Sequence, residues 1–281
     1  MSILVANRIT KPLSAMSNLI SLPMYDLCRS DSEALCSALR SLLIKRGMPA
    51  ASLTVARPQA ELLSHWRRED LLLSQTCGYP LVTQLAEVQL VGCFHYDAPG
   101  CDGARYRSFL VSRQEDAGKA LADFVGRRAV CNGLDSQSGY NALRKMVAPL
   151  ARDGKFFGAV SFSGSHRQSL LALNKNTADI AAIDCVTFAL LQRHQPTLLH
   201  NLAIIGQSPS APGLPLITSG ATSALTLGML QDALYQLVSD AAYQQLCRAL
   251  FITGFSVVTR EPYSLLLDWL REAEARGVSA L

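Results

Sequence analysis

No stretch of the 281 residues approaches the ~18 consecutive apolar residues of a membrane span. At the N-terminus the longest apolar run, Ile3 to Ala6, is well short of the ~7–15 residues of a secretory h-region. Taken alone, that start predicts a cytoplasmic chain. Charge is sparse, at 17% of residues, and the net +4 is spread along the chain rather than stacked on one face. Such a balance argues against nucleic acid as the main partner and suits a small anionic ligand. None of the eight cysteines forms a Cys-x-x-Cys pair, which removes the usual sign of a zinc ribbon or knuckle.

Apolar material is abundant: 49% of the chain, enough for one large or two medium domains with full cores. Cys36 and Cys247 fall in predicted helices, and Cys93, Cys131 and Cys185 in or beside predicted strands. These positions read as small buried hydrophobes. Cys93 and Cys101 are near enough in sequence to bridge across a loop, although a chain without an export signal disfavours it.

Residues 1–18 carry no sustained period and are expected to form a leader or arm. From Ile20 the pattern alternates. A strand over 20–24 is followed by a helix that starts at Ser30-Asp31-Ser32-Glu33, buries Leu35, Leu39, Leu42 and Leu43, and stops at Gly47. Short apolar strands come next at 53–56 and 71–73, of the kind buried inside a parallel sheet, then longer ones at 88–94 and 106–112. The middle continues as strand 128–131, helix 138–149, strand 159–162, helix 166–174, strand 180–183, helix 185–193 and strand 202–205. After the breaker-rich run Ser208 to Pro215, helices are expected around 222–237, 240–251 and 263–275, with a last strand over 255–259. Breaker-rich stretches at 98–103 and 208–215 bracket a self-contained α/β unit. This predicts two lobes, 19–105 with 214–281 and 106–213, each a mostly parallel sheet flanked by helices, with the ligand cleft between them.

Two turns carry the functional signal. Asn132-Gly133-Leu134-Asp135-Ser136-Gln137-Ser138-Gly139-Tyr140 separates a strand from an amphipathic helix, and Ser163-Gly164-Ser165-His166-Arg167 repeats the arrangement. Ser136 or Ser138 then sits where unpaired N–H groups and the helix dipole attract an anion. An isolated cluster of this kind is more often a plain helix cap than a ligand site, and it is the second, similar turn that raises the ligand reading.

In order and spacing, five segments resemble the phosphate/phosphonate-binding proteins of ABC importers. They are Asp70 to Pro80, Gly103 to Ser108, Asp135 to Asn141, Gly164-Ser165-His166 and Ala178 to Asp184. The resemblance covers roughly residues 20–260 and implies a type II periplasmic-binding-protein fold closing on a small oxyanion or phosphonate-like organic anion. It implies a solute-binding protein rather than an enzyme, periplasmic in its family role, with an ABC permease as partner. No metal or cofactor is called for, and membrane contact is peripheral at most. By position, Ser136, Gln137 and Ser138 match the anion turn and His166 a ligand-facing histidine. Tyr25, Gln75, Thr76 and Tyr79 match the first lobe's side of the cleft, and Asp184 a polar strand end. Gln137 replaces the small hydroxyl residue common in phosphonate binders.

Taken residue by residue, Asp184 either clamps an ammonium or hydroxyl group or caps the next helix. Tyr25 and Tyr79 either contact ligand or pack the cleft edge, and His65, His194 and His200 read as solvated. Cys77, His166 and Asp184 supply the residue types of a nucleophile, base and orienter, but nothing in the sequence lowers the thiol pKa. The alternative function is a cytoplasmic biosynthetic enzyme or metabolite sensor of the same fold acting on a small carboxylate.

Overall fold

The structure is a computed structural model that describes residues 18–58 and 61–281. Most of the leader expected over 1–18 lies outside the described residues. The chain enters as β1 (Asn18–Ser21), slightly earlier than the apolar run suggests. Pro23 brings no N–H to a ladder, so pairing stops at Ser21 and the segment to Tyr25 leaves the sheet. Helix α1 (Arg29–Lys45) starts ahead of the expected capping box; its N-cap is Cys28, without a side-chain cap bond, and Glu33 instead accepts from Arg29 at 2.7 Å. It ends as expected: Gly47, at φ +95°, donates to Ile44 O, and Met48 donates to Leu43 O.

Then come β2 (Leu53–Val55), α2 (Leu62–Trp66), β3 (Leu71–Gln75), α3 (Gly78–Thr83) and β4 (Gln89–Tyr96). β5 (Arg105–Tyr106) leads into the second sheet. Its strands alternate with helices: β6 (Ser108–Arg113), β7 (Arg128–Cys131), α4 (Ala142–Val147), β8 (Ala159–Phe162), α5 (His166–Asn174), β9 (Ile180–Asp184), α6 (Cys185–His194) and β10 (Leu202–Gln207). The chain returns through β11 (Ala211–Pro212) to β12 (Pro215–Thr218), α7 (Ala224–Ser239), α8 (Gln244–Ala249), β13 (Ile252–Ser256) and α9 (Leu265–Ala275). β12 falls where only breakers were expected. β13 ends at Ser256, so the strand expected over 255–259 is displaced toward the N-terminus.

The strands form a six-stranded sheet in the order β13-β4-β12-β3-β1-β2 and a five-stranded sheet in the order β10-β6-β9-β7-β8. β1, β2 and β3 pair in parallel, as do β7, β8 and β9. β12, β13, β6 and β10 run antiparallel to their neighbours, so both sheets are mixed, not mostly parallel as expected. The two passages between the sheets, β5 and β11, pair with each other as a short antiparallel ladder.

Leu35, Leu39, Leu42 and Leu43 of α1 pack with Leu230, Leu234 and Leu237 of α7 in one core cluster on the first sheet. A second cluster runs from Leu19 and Leu71 through Tyr106 to Val130 and Ile183, joining the sheets around the crossover. α9 closes the far side: Leu266 and Trp269 enter that shared cluster, and Leu266 O accepts from Asn141 Nδ2 at 3.2 Å. Among the described residues no helix is long and apolar enough to cross a membrane.

Candidate functional site

The C-terminal ends of β7 and β8 lie side by side, so the turns that leave them meet. Two backbone bonds join them: Ser163 N–H to Cys131 O at 2.9 Å and Gly164 N–H to Asn132 O at 3.0 Å. Ser136 caps the first turn, accepting from Gly139 N–H at 3.0 Å. The backbone then makes a wide π-helical turn, Gln137–Asn141, before α4 begins; the expected uniform helix from 138 is corrected to that extent. A π turn at a helix start is a common feature of functional sites. Ser165 caps α5 through Gln168 N–H at 3.2 Å. Across the junction Ser138 Oγ and His166 Nε2 are 2.8 Å apart.

These groups border a cleft of about 150 Å³. Burial lowers the His166 pKa to about 4, leaving the imidazole neutral at pH 7, and its Nδ1 has no hydrogen-bond partner among the described residues. Tyr25 Oη donates to Asp184 Oδ2 at 2.9 Å, while Asp184 Oδ1 accepts from Thr187 N–H at 2.9 Å. Asp184 is therefore a helix cap and a cleft residue at once. Burial raises its pKa to about 6, against the opposing pull of the Thr187 and Tyr25 donors. Tyr25 holds a left-handed backbone, φ +60°, unusual for a bulky residue and typical of strained functional positions. No Lys or Arg is among the described residues lining the cleft; its charged members are Asp135 and Asp184.

Of the expected ligand residues, Tyr25, Ser136, Ser138, His166 and Asp184 border this cleft. Four do not. Gln137 is buried with its Oε1 held by Asn141 Nδ2 at 2.7 Å, so its amide oxygen serves the turn. Gln75 lies behind Tyr25 in a small adjoining pocket and donates to Tyr96 Oη at 3.2 Å. Thr76 is fully buried and donates to Cys77 O, and Tyr79 sits half-buried on α3 away from the cleft. Residues not anticipated there include Trp66, Asn132, Asp135 and Thr187. Asn132 and Asp135 belong to the turn already singled out. Trp66 rests on α2, whose five residues are too few to show a period.

Cys77 also lines the cleft, but not as a nucleophile. Its sulfur accepts from Gln137 N–H at 3.2 Å, burial pushes the thiol up to about 11, and His166 is engaged by Ser138. His65, expected in solvent, is buried beside Trp66, and burial lowers its pKa. His194 is also withdrawn, its Nε2 buried and without a hydrogen-bond partner among the described residues, while His200 is exposed. All eight cysteines are free. The Cys93–Cys101 bridge does not form: Cys93 Sγ faces Leu214 O, and Cys101 Sγ lies 3.5 Å from Cys185.

Two mixed sheets joined by paired crossover strands, with helix N-termini facing a cleft at the sheet ends, define a type II periplasmic-binding-protein fold. Residues 40–263 match the family described as ABC transporter, phosphonate, periplasmic substrate-binding protein, and the chain belongs to that family. Its members are transporter substrate-binding proteins and not enzymes. The family is periplasmic and implies a small ligand and an ABC permease partner.

Three solved structures share the fold. A binding-protein component of an ABC phosphonate transporter from Pseudomonas aeruginosa is 16% identical, with TM-score 0.74 over 94% of this chain and 89% of that one. PhnD1 from Prochlorococcus marinus, in complex with methylphosphonate, is 13% identical, with TM-score 0.72 over 92% and 98%. XAC2383 from Xanthomonas citri, bound to ATP, is 13% identical, with TM-score 0.68 over 93% and 98%. A comparison with curated proteins finds no match.

Proposed function

We propose that this protein captures a small zwitterionic phosphonate, an anionic head joined to an ammonium group, and presents it to an ABC permease from the periplasmic side. The carrying observation is the mixed lining of the cleft, which brings hydroxyls, a neutral histidine and helix N-terminal N–H groups together with Asp184, itself held by Tyr25. The head would be held by Ser136, Ser138 and the start of α5, where dipoles and hydrogen bonds replace a cation. Asp184 would take the ammonium group. A volume near 150 Å³ suits a ligand of benzene-like size and is far too small for a nucleotide.

The lobes in this reading are 19–105 with 214–281, and 106–213, turning on the β5–β11 ladder. Tyr25 and Asp184 come from different lobes, so their hydrogen bond closes the cleft only when the lobes meet. The methylphosphonate of the Prochlorococcus structure supports the head group; Asp184 in this cleft supports the amino tail.

Calorimetric titration with 2-aminoethylphosphonate, methylphosphonate and inorganic phosphate, in buffer containing a chelator, tests the reading. The expected order places the aminophosphonate first by at least about 10-fold, a difference of ~1.4 kcal/mol. Equal affinities would remove the ammonium clamp, and no binding of any of the three would overturn the assignment of the cleft.

A further inference from the structure

We propose that Cys28, Asp31 and His194 form a divalent-metal site of the zinc class that staples the start of α1 to the end of α6. The donor atoms of these three residues lie within 4.8 Å of one another, with His194 Nε2 and Asp31 Oδ2 3.7 Å apart. Donors around a tetrahedral Zn²⁺ are spaced about 3.3–3.8 Å, so the three have to draw in, and Cys28 Sγ has to leave Ser30 Oγ, now 3.2 Å away. One thiolate, one imidazole and one carboxylate make a zinc-type set, leaving a fourth position for water.

Among the described residues His194 Nε2 is withdrawn from water and makes no hydrogen bond, and 3.7 Å is beyond hydrogen-bond reach of Asp31. A buried polar nitrogen left this way is destabilising unless something else meets it. The neighbouring cations are already engaged. Arg29 is taken by Glu33 at 2.7 Å, and Arg193 donates to Arg248 O and Ala249 O while stacking 3.6 Å over the Phe251 ring. Neither neutralises Asp31 nor fills the space between the three donors.

The location ties the metal to the cleft. α6 carries Asp184 at its N-cap and His194 at its last residue; Cys28 and Asp31 lie three and six residues after Tyr25. The same two segments therefore meet twice, through Tyr25–Asp184 at one end of α6 and through the metal donors at the other. In the two-lobe reading the site is complete only when the lobes are closed, so metal and ligand would each favour the other's binding.

The test is a Co²⁺ titration of the full chain, then Zn²⁺ competition against a chromophoric chelator, with no phosphonate present. The expected result is one equivalent of Co²⁺ with a thiolate-to-cobalt charge-transfer band, displaced by Zn²⁺. Cys28→Ser should abolish the band, and His194→Gln and Asp31→Asn should each weaken Zn²⁺ about 100-fold or more, with metal-free melting curves unchanged. A Co²⁺ complex lacking the thiolate band, or equal Zn²⁺ affinity in wild type and His194→Gln, overturns the site. Either failure leaves the phosphonate titrations untouched, because those are run in chelator.

Discussion

Tyr25 donates its hydroxyl to Asp184 at 2.9 Å, joining residues 159 positions apart within the lining of the cleft. The hydrogen bond stabilises the carboxylate form and so opposes the burial that raises the Asp184 pKa. Removing it in Tyr25→Phe should push the Asp184 titration above about 6, read by carbon NMR of the carboxyl group. Ligand affinity should fall by ~1.5–3 kcal/mol, the range for a hydrogen bond to a charged group. An unchanged titration would mean that the bond is not kept in solution.

Asp184 and His166 give stability opposite slopes with pH. The folded-state pKa of Asp184 is raised from 3.8 to about 6, so the folded chain binds the proton more tightly. Stability from this group is present below pH ~4 and lost as pH rises through about 6. His166 is depressed to about 4, so its contribution is present above its unfolded value near 6.5 and lost as pH falls through about 4. The ligand-free wild type should show a shallow dependence between these limits. Asp184→Asn, which keeps an N-cap acceptor, should be more stable than wild type at pH 7 by at most roughly 3 kcal/mol, with the gain vanishing near pH 4. Urea unfolding at pH 4, 5.5 and 7 checks this, and a gain independent of pH would contradict it.

The parallel α/β alternation of the middle unit was legible because its strands are short, apolar and regularly separated by helices with clear starts. Ile180 to Asp184 and Arg128 to Cys131 are examples. β12 was not legible: Pro215 opens it inside a breaker-rich run, and only its insertion between β3 and β4 makes it a strand. The anion turns could be read from serine, glycine and histidine beside helix starts. The side-chain directions could not. Gln137 and Ser138 are adjacent in the same turn, yet Gln137 points to Asn141 and Ser138 to His166. His65 and His194 stand in polar sequence neighbourhoods but are covered by distant elements, which composition does not reveal.

Cys77 offers a direct check on the non-enzymatic reading. A buried thiol pushed up to about 11 and accepting a backbone N–H should resist alkylation in the folded protein. Iodoacetamide labelling with peptide mass spectrometry should find Cys28 and Cys101, both partly exposed, modified well before Cys77. Preferential labelling of Cys77 would reopen the nucleophile reading.

Gly139, in the turn that carries Ser136 and Ser138 to the cleft, has no free space for a side chain. A Cβ built there would lie 1.8 Å from Asn132 Oδ1 and 3.1 Å from Ser136 Oγ. The Asn132 side chain is thus laid across the π turn, and the absence of a side chain at 139 lets Ser136 reach the Gly139 N–H. In Gly139→Ala the Asn132 side chain must move, and the capping bond that shapes the turn is strained or lost. Moving the end of the Asn132 side chain is cheap, so the stability lost is mainly that of the strained N-cap, ~1 kcal/mol. Ligand affinity should drop further than in Ser138→Ala, where ~1–3 kcal/mol is expected from one hydroxyl, because the alanine displaces the turn that carries both serines. The double variant Gly139→Ala with Asn132→Gly removes the obstructing side chain and should recover most of the binding. Failure of that rescue, with the fold intact by circular dichroism, would show that the turn depends on something other than the Asn132–Gly139 approach.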